Sequence, residues 1–102
     1  MAQFDVHRNG SGNTSFPYLL DVQADLLTRL ATRLVVPMVA AKTHDRPIAR
    51  INPIARLRGA DYVLLFQEMA AVPSSMLGER VATLAPRRAE LLAAIDWIVT
   101  EA

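Results

Sequence analysis

Few side chains in this sequence have the types and spacing that enzyme chemistry requires. The sequence contains no cysteine, which excludes disulfides, thiolate metal ligands and a thiol nucleophile. Its two histidines, His7 and His44, are far apart, and neither has a second ligand type at the spacing of a metal site. The sequence also has no glycine-rich phosphate loop and no Gly-x-Ser-x-Gly motif. We therefore expect no metal or other cofactor, and we predict that both histidines are ordinary surface or turn residues.

Asp21 and Asp25 are the nearest approach to an acid–base pair of carboxylates. The alternating pattern of "PYLLDVQAD" predicts one strand that presents both aspartates on the same face. Four residues of strand, at roughly 3.3 Å each, would separate them by about 13 Å. This is wider than the spacing of roughly 5 to 9.5 Å that paired-carboxylate hydrolysis uses. Hydrogen bonds to neighbouring loops or solvent are the favoured interpretation, and contact with a partner protein stays open.

Arginines make "RPIARINPIARLR" the most basic stretch of the chain. The formal net charge is only +1, which gives little long-range attraction to phosphate backbones or anionic membranes. No aromatic residues alternate with these arginines, as they would on a surface that stacks single-stranded bases. A solvated face is the favoured interpretation, while contact with an acidic protein or with phosphate remains open.

The composition indicates one folded domain over residues 1–102. Hydrophobic residues make up 52% of the chain, which is enough for a core and leaves apolar area for an interface. The N-terminus has no apolar run of signal-peptide length, and no stretch reaches 18 uncharged apolar residues. We therefore expect a cytoplasmic protein that does not enter a membrane.

Alternating apolar residues predict about five strands in the first three quarters of the chain. One strand contains Phe4 and Val6, and a glycine-rich turn separates it from the strand that begins near Tyr18. A third precedes Pro37, which should sit at a strand end, a bulge or an edge because proline cannot donate a ladder hydrogen bond. A hairpin with its turn at residues 58–61 follows, and apolar residues on both faces of its second strand indicate a central position.

After Pro73 the pattern changes to the period of a helix. Leu91, Ile95 and Ile98 follow one another at spacings of four and three, and Pro86 fits a first-turn position. One apolar stripe cannot absorb the other large side chains of this segment, among them Trp97. Burial in a dimer is the favoured interpretation, with the protein's own core and another protein's surface as alternatives. Strands followed by one C-terminal helix predict an α+β fold.

Five strings along the chain together resemble the CcdB family of bacterial toxins. In order they are "QFDVHRN", "PYLLDVQADLL", "TRLVVPM", "MAAVPSSMLGERVATL" and "ELLAAIDWIV". The resemblance covers essentially the whole chain at similar spacing. It implies a mainly β, α+β fold: an SH3-like barrel of the CcdB, Kid and MazF type, with about five antiparallel strands and a C-terminal helix. It also implies a homodimer.

The same resemblance implies the toxin of a type II toxin–antitoxin system. Such a protein binds the A subunit of DNA gyrase and traps the enzyme on cleaved DNA, and a CcdA-like antitoxin neutralises it. It acts by protein–protein binding, so it is not an enzyme and needs no cofactor. Plasmid maintenance and transcription autoregulation belong to this description. DNA is then contacted only indirectly, through the complex with the antitoxin.

The resemblance also implies which residues contact gyrase. By position these are the aliphatic pair Leu26 and Leu27, together with the end of the terminal helix: Asp96, Val99, Thr100, Glu101 and Ala102. The family pattern ends in Gly-Ile where this chain ends in Glu101-Ala102. Losing a buried isoleucine at an interface costs about 2 to 4 kcal/mol, and an unpaired buried carboxylate costs more. Affinity for gyrase would then fall by several powers of ten.

Two alternatives remain at this stage. One is a non-toxic chromosomal homologue that binds antitoxin but has lost gyrase poisoning through its altered tail. The other is an endoribonuclease like MazF. That activity needs an arginine and a hydroxyl or acidic group converging on a phosphate, and Arg33 and Arg50 are the arginines considered for it.

Overall fold

The computed structural model describes residues 2–44 and 46–100. Short 3-10 turns connect several of the strands, and another leads into the single α-helix. In chain order the elements are β1 (Asp5–Asn9), β2 (Tyr18–Asp21), β3 (Thr32–Ala40), β4 (Ile54–Leu57), β5 (Ala60–Leu64), β6 (Ala70–Pro73), β7 (Leu77–Thr83) and α1 (Arg88–Thr100). None of the described helices is long and apolar enough to cross a membrane.

The strands form one antiparallel sheet in the order β4-β5-β3-β2-β1-β7. Strand β3 is the longest, and along one edge it changes partner. Its first half pairs with β6, through Thr32–Pro73 to Val35–Ala70, and its second half pairs with β5. The mainly β, α+β class is confirmed. The central position predicted for the second strand of the hairpin is also confirmed, because this strand is β5 and it lies between β4 and β3.

The prediction of about five strands was too low, because the described chain contains seven. Strand β7 lies in the segment that was predicted to have only helical periodicity. It pairs with β1 at the edge of the sheet, and its pairing register shifts twice. None of its residues is fully buried, and its sequence therefore lacks the alternation of apolar and polar residues that marks a half-buried strand. The strand forms because it pairs with the distant β1, and a pattern of neighbouring residues cannot predict such long-range pairing.

Pro37 lies inside β3, and the expectation of a strand end, bulge or edge was wrong. On one side it is paired with Leu19 of β2. On the other side its carbonyl accepts a hydrogen bond from the Leu65 N–H at 3.0 Å, in the gap between the segments of β3 that pair with β6 and β5. Since N–H and C=O of a strand residue point to the same edge, the missing N–H faces this gap. A change of strand partner therefore accommodates the proline.

The predicted hairpin turn is confirmed and is tighter than expected. Strands β4 and β5 are joined by Arg58 and Gly59, whose φ angles are 51° and 82°. Positive φ at both central residues is the geometry of a type I′ turn, which matches the twist of paired strands.

The main core lies between the sheet and α1. On the helix it contains the buried Leu91 and Ala94, and the half-buried Ile95 and Ile98 pack against it. The predicted amphipathic helix is therefore confirmed, and Pro86 lies in the 3-10 turn Ala85–Arg87 that leads into it. A second, smaller cluster is formed by Val39, Val63 and Leu65 with Phe16 and Ala41.

Candidate partner-binding site

The 3-10 turn Asp25–Leu27, which connects β2 to β3, presents apolar side chains to solvent. Leu26 is 93% exposed, Leu27 is 46% exposed, and Leu30 in the same connection is 51% exposed. Backbone hydrogen bonds from Leu27 to Ala24 and from Leu30 to Leu27 keep the connection compact. Three exposed leucines so close together form the kind of apolar surface that marks an interaction site.

Gln23 connects this turn to the middle of the sheet. Its side-chain nitrogen Nε2 donates to the Leu27 carbonyl at 2.9 Å, and its oxygen Oε1 accepts from the Leu34 N–H at 3.0 Å. Only 8% of Gln23 is exposed. The exposed leucines therefore stand on a turn whose inner side is hydrogen-bonded to β3.

Gln3 connects the outer side of the turn to the rest of the protein. Its backbone N–H donates to Asp25 Oδ1 at 2.7 Å, and its side-chain Nε2 donates to the Val22 carbonyl at 3.2 Å. The side-chain oxygen of Gln3 in turn accepts from Arg88 at 2.7 Å. Asp25 is therefore a residue of the turn, and the prediction that it shares a strand with Asp21 was wrong, because β2 ends at Asp21.

A buried ion pair lies beneath the turn. Arg33 Nε and Nη2 donate to Asp21 Oδ2 at 3.0 and 2.6 Å, and the side chains are 1% and 0% exposed. The other oxygen of Asp21 accepts from the Gln23 N–H at 3.1 Å. Arg33 Nη1 is buried without a hydrogen-bond partner within the described part of the chain. The hydrogen bond to Gln23 agrees with the predicted structural role of Asp21, but the carboxylate is buried away from solvent, and nothing in the sequence indicated Arg33 as its partner.

The last turn of α1 presents the second group of predicted contact residues. Asp96, Val99 and Thr100 are all exposed, Val99 to 71%. Thr100 Oγ1 donates to the Asp96 carbonyl at 2.7 Å. The remaining two predicted residues, Glu101 and Ala102, lie outside the described residues.

The structure groups the predicted residues into two clusters. Leu26 and Leu27 share the β2–β3 turn, and Asp96, Val99 and Thr100 share the end of α1. The hydrogen bonds through Gln3 lead from the turn to Arg88, at the first residue of α1. At about 1.5 Å per residue, Thr100 lies about 18 Å further along the helix axis.

Trp97 is half-buried beside the basic loop. The guanidinium carbon of Arg50 lies 4.7 Å from the centre of its indole ring, within range of a cation–π interaction. Arg50 also has a φ of 76°, a conformation that residues other than glycine rarely adopt. Sequence reasoning treated Arg50 as part of a solvated face and missed this contact, because the two residues come together only through the tertiary fold. Burial of Trp97 in a dimer stays a prediction.

His7 is buried, and the prediction of a surface or turn position was wrong for it. Its Nδ1 lies 3.0 Å from the Gly78 carbonyl in β7, and its Nε2 has no hydrogen-bond partner among residues 2–44 and 46–100. His44 is half-buried and follows the 3-10 turn Ala41–Thr43. Among the residues that the structure describes, no group of histidine and acidic side chains is arranged to hold a metal ion.

Two side chains away from the candidate site, Arg8 and Tyr62, have a raised pKa. A hydrogen bond to Glu79 raises the pKa of the exposed Arg8 guanidinium. Burial raises the pKa of the Tyr62 phenol, and the neighbouring Tyr18, whose ring centre is 5.0 Å away, adds to this effect. Both groups keep the charge state they have at neutral pH in water, so neither suggests acid–base chemistry.

Comparisons with known structures and family models show which proteins this chain is similar to. Among solved structures, an endoribonuclease in complex with its cognate antitoxin from Mycobacterial species has a similar fold, with a TM-score of 0.74. The two chains are 14% identical, and the match covers 97% of this chain and 94% of the other. This likeness confirms the predicted CcdB/MazF-type barrel. The family model described as CcdB protein matches residues 3–100. Because that match spans nearly the whole chain, the protein belongs to the CcdB family.

Proposed function

We propose that this protein is the toxin of a type II toxin–antitoxin module that binds the A subunit of DNA gyrase. In this proposal it traps the complex of gyrase with cleaved DNA, and a CcdA-like antitoxin neutralises it. Membership of the CcdB family supports the toxin class. The structural relative is a toxin-type endoribonuclease bound to its cognate antitoxin, which supports an antitoxin as partner. Gyrase as the target rests on the resemblance of the sequence motifs.

The exposed leucine turn is the observation that best supports this function. The family's aliphatic contact pair falls on Leu26 and Leu27, and Leu26 is 93% exposed on a turn that is hydrogen-bonded on both sides. Burying one such side chain in a partner contributes about 1.5 to 3 kcal/mol. An apolar anchor on an ordered turn suits a protein that acts by binding.

A homodimer in the cytoplasm completes the proposal. Apolar side chains remain exposed or half-exposed at several places, among them Leu92 and Trp97 of α1 and Ile54 of β4. Such surface supports assembly with a second copy. In this proposal the protein catalyses no reaction, and it contacts DNA only through its complex with the antitoxin.

Expression without antitoxin tests the proposal directly. We expect growth arrest and gyrase A subunits covalently attached to cleaved DNA. The Leu26→Ser variant should weaken the arrest, because it removes the apolar anchor from an exposed position. Ile48→Ser, at another exposed apolar residue, is the matched control and should leave the arrest intact. Normal growth with the wild-type protein, together with no binding of a purified gyrase A fragment, would contradict the proposal.

The altered tail supports a second candidate, a homologue that binds antitoxin without poisoning gyrase. Glu101 and Ala102 stand at the positions where the family pattern has Gly-Ile. If the wild-type protein is harmless and the double change Glu101→Gly and Ala102→Ile makes it toxic, this candidate replaces the first.

The likeness to an endoribonuclease supports a third candidate, RNA cleavage. Of the two arginines considered for it, Arg33 is buried and bound to Asp21, which leaves it unable to reach RNA. Arg50 is exposed and stacks on Trp97. Incubation of the purified protein with total RNA tests this activity, and specific cleavage that Arg50→Ala abolishes would establish it.

A further inference from the structure

We infer that Gln23 is a positioning residue for the partner-binding turn, and that its side-chain amide determines where Leu26 and Leu27 stand. The effect on partner binding rests on the proposed function. The effect on the turn itself does not, because it follows from hydrogen bonds within the protein.

The first step is that one side chain joins the turn to the central strand. Gln23 uses both ends of its amide, donating from Nε2 to the Leu27 carbonyl at 2.9 Å and accepting at Oε1 from the Leu34 N–H at 3.0 Å. Leu34 belongs to β3, and its carbonyl accepts from the Val22 N–H at 2.9 Å. The Gln23 side chain thus joins the turn to β3, next to the backbone hydrogen bond between Val22 and Leu34.

The second step is that a buried carboxylate, that of Asp21, accepts a hydrogen bond from the backbone of Gln23. The Gln23 N–H donates to Asp21 Oδ1 at 3.1 Å, and Oδ2 of the same carboxylate binds Arg33. The ion pair is 0% and 1% exposed, so water does not compete with these bonds. The buried pair therefore fixes the backbone of Gln23, and the side chain of Gln23 fixes the turn.

The third step is that the position requires glutamine chemistry. Gln23 gives the Leu27 carbonyl a second donor beside the Leu30 N–H and gives the Leu34 N–H its acceptor, and a carboxamide supplies both groups at one site. A glutamate would offer no donor and would place a second carboxylate beside Asp21. An apolar residue of equal length would leave the Leu34 N–H unsatisfied and would remove one of the two donors to the Leu27 carbonyl, which favours opening of the turn.

An ordered turn binds a partner more tightly than a flexible one, because its conformational freedom is already lost before binding. A flexible apolar segment loses conformational freedom when it is buried, and this loss weakens affinity. We expect removal of the Gln23 bridge to weaken binding of a gyrase A fragment about 10- to 100-fold.

Backbone hydrogen exchange in the Gln23→Met variant tests the inference. The amides of Leu27, Thr28 and Leu30 donate within the connection and report its opening. We expect these amides to exchange at least about tenfold faster than in the wild type, while amides paired between β1 and β7 change little. Gln67→Met is the matched control, because the Gln67 side chain bonds Asn52 outside the turn, and it should leave the turn amides unchanged.

Unchanged exchange in the turn of Gln23→Met would overturn the inference, whatever happens to gyrase binding. Faster exchange with a wild-type protein that does not bind the gyrase A fragment would support the inference and contradict the proposed target. A second measurement uses the wild-type protein and therefore does not depend on whether a variant folds. In it, the side-chain amide protons of Gln23 should exchange more slowly than those of the exposed Gln67. Equal exchange at the two glutamines would also overturn the inference.

Discussion

The Asp25–Leu27 turn and the last turn of α1 both present exposed apolar side chains, but different interactions hold them in place. Beneath the turn lie polar groups: Gln23, and the ion pair of Asp21 with Arg33. Apolar packing holds the helix end in place, because Ile95 and Ile98 contact the core on the opposite face of the helix. A short connection has few apolar contacts of its own, so hydrogen bonds must order it. A helix satisfies its backbone internally and needs only an apolar stripe.

Breaking the ion pair should have the largest effect. Arg33→Met leaves the Asp21 carboxylate buried without its partner, and we expect the free energy of unfolding to fall by about 3 to 5 kcal/mol. Urea denaturation measures this loss. The control Arg56→Met removes an exposed pair with Asp61 and should cost about 0 to 1 kcal/mol. Equal losses in the two variants would show that the buried pair contributes no more to stability than an exposed one.

Truncating the helix core is expected to have a similar or slightly smaller effect. Leu91 is fully buried between α1 and the sheet, so Leu91→Ala should lower the free energy of unfolding by about 2 to 5 kcal/mol. Val99→Ala, at a side chain that is 71% exposed, should change it by less than about 0.5 kcal/mol. A large loss at Val99 would mean that the helix end is buried in solution, as in a dimer, and size measurements on both proteins would test that explanation.

The two regions can next be compared by binding. Neither Leu26→Ser nor Val99→Ser should change the free energy of unfolding by more than about 0.5 kcal/mol, because both side chains are exposed. Calorimetry with a gyrase A fragment should show about 10- to 100-fold weaker binding for Leu26→Ser, from the loss of one buried leucine. Val99→Ser should weaken it less. The reverse order would make the helix end the main anchor.

The contact of Arg50 with Trp97 should have the smallest effect. An exposed cation–π pair contributes about 0.5 to 1 kcal/mol, so Arg50→Ala should lower the free energy of unfolding by about that amount and change Trp97 fluorescence. Arg46 also has a positive φ, 57°, which makes Arg46→Ala a control for backbone strain. If the two variants lose equal stability and leave the fluorescence unchanged, the ring contact does not matter.

Local patterns in the sequence determined much of the architecture. The alternation of apolar residues predicted β1 and β2, Gly59 marked the hairpin turn, and the spacing of Leu91, Ile95 and Ile98 predicted α1. Each of these signals reflects a preference that acts over a few residues: the period of a strand, the positive φ of a tight turn, or the period of a helix. The family motifs also indicated Leu26 and Leu27 as candidate contacts, and the structure exposes both.

Only the tertiary structure decided the polar framework of the site and the edges of the sheet. His7 lies buried where β1 pairs with β7, and its Nδ1 is 3.0 Å from the Gly78 carbonyl, 71 residues away along the chain. Asp21, Gln23 and Arg33 form one network because β2 and β3 lie side by side. In the sequence such residues look like ordinary surface polar groups. Their burial becomes favourable only when the fold supplies matching donors and acceptors, and long-range pairing alone brings these together.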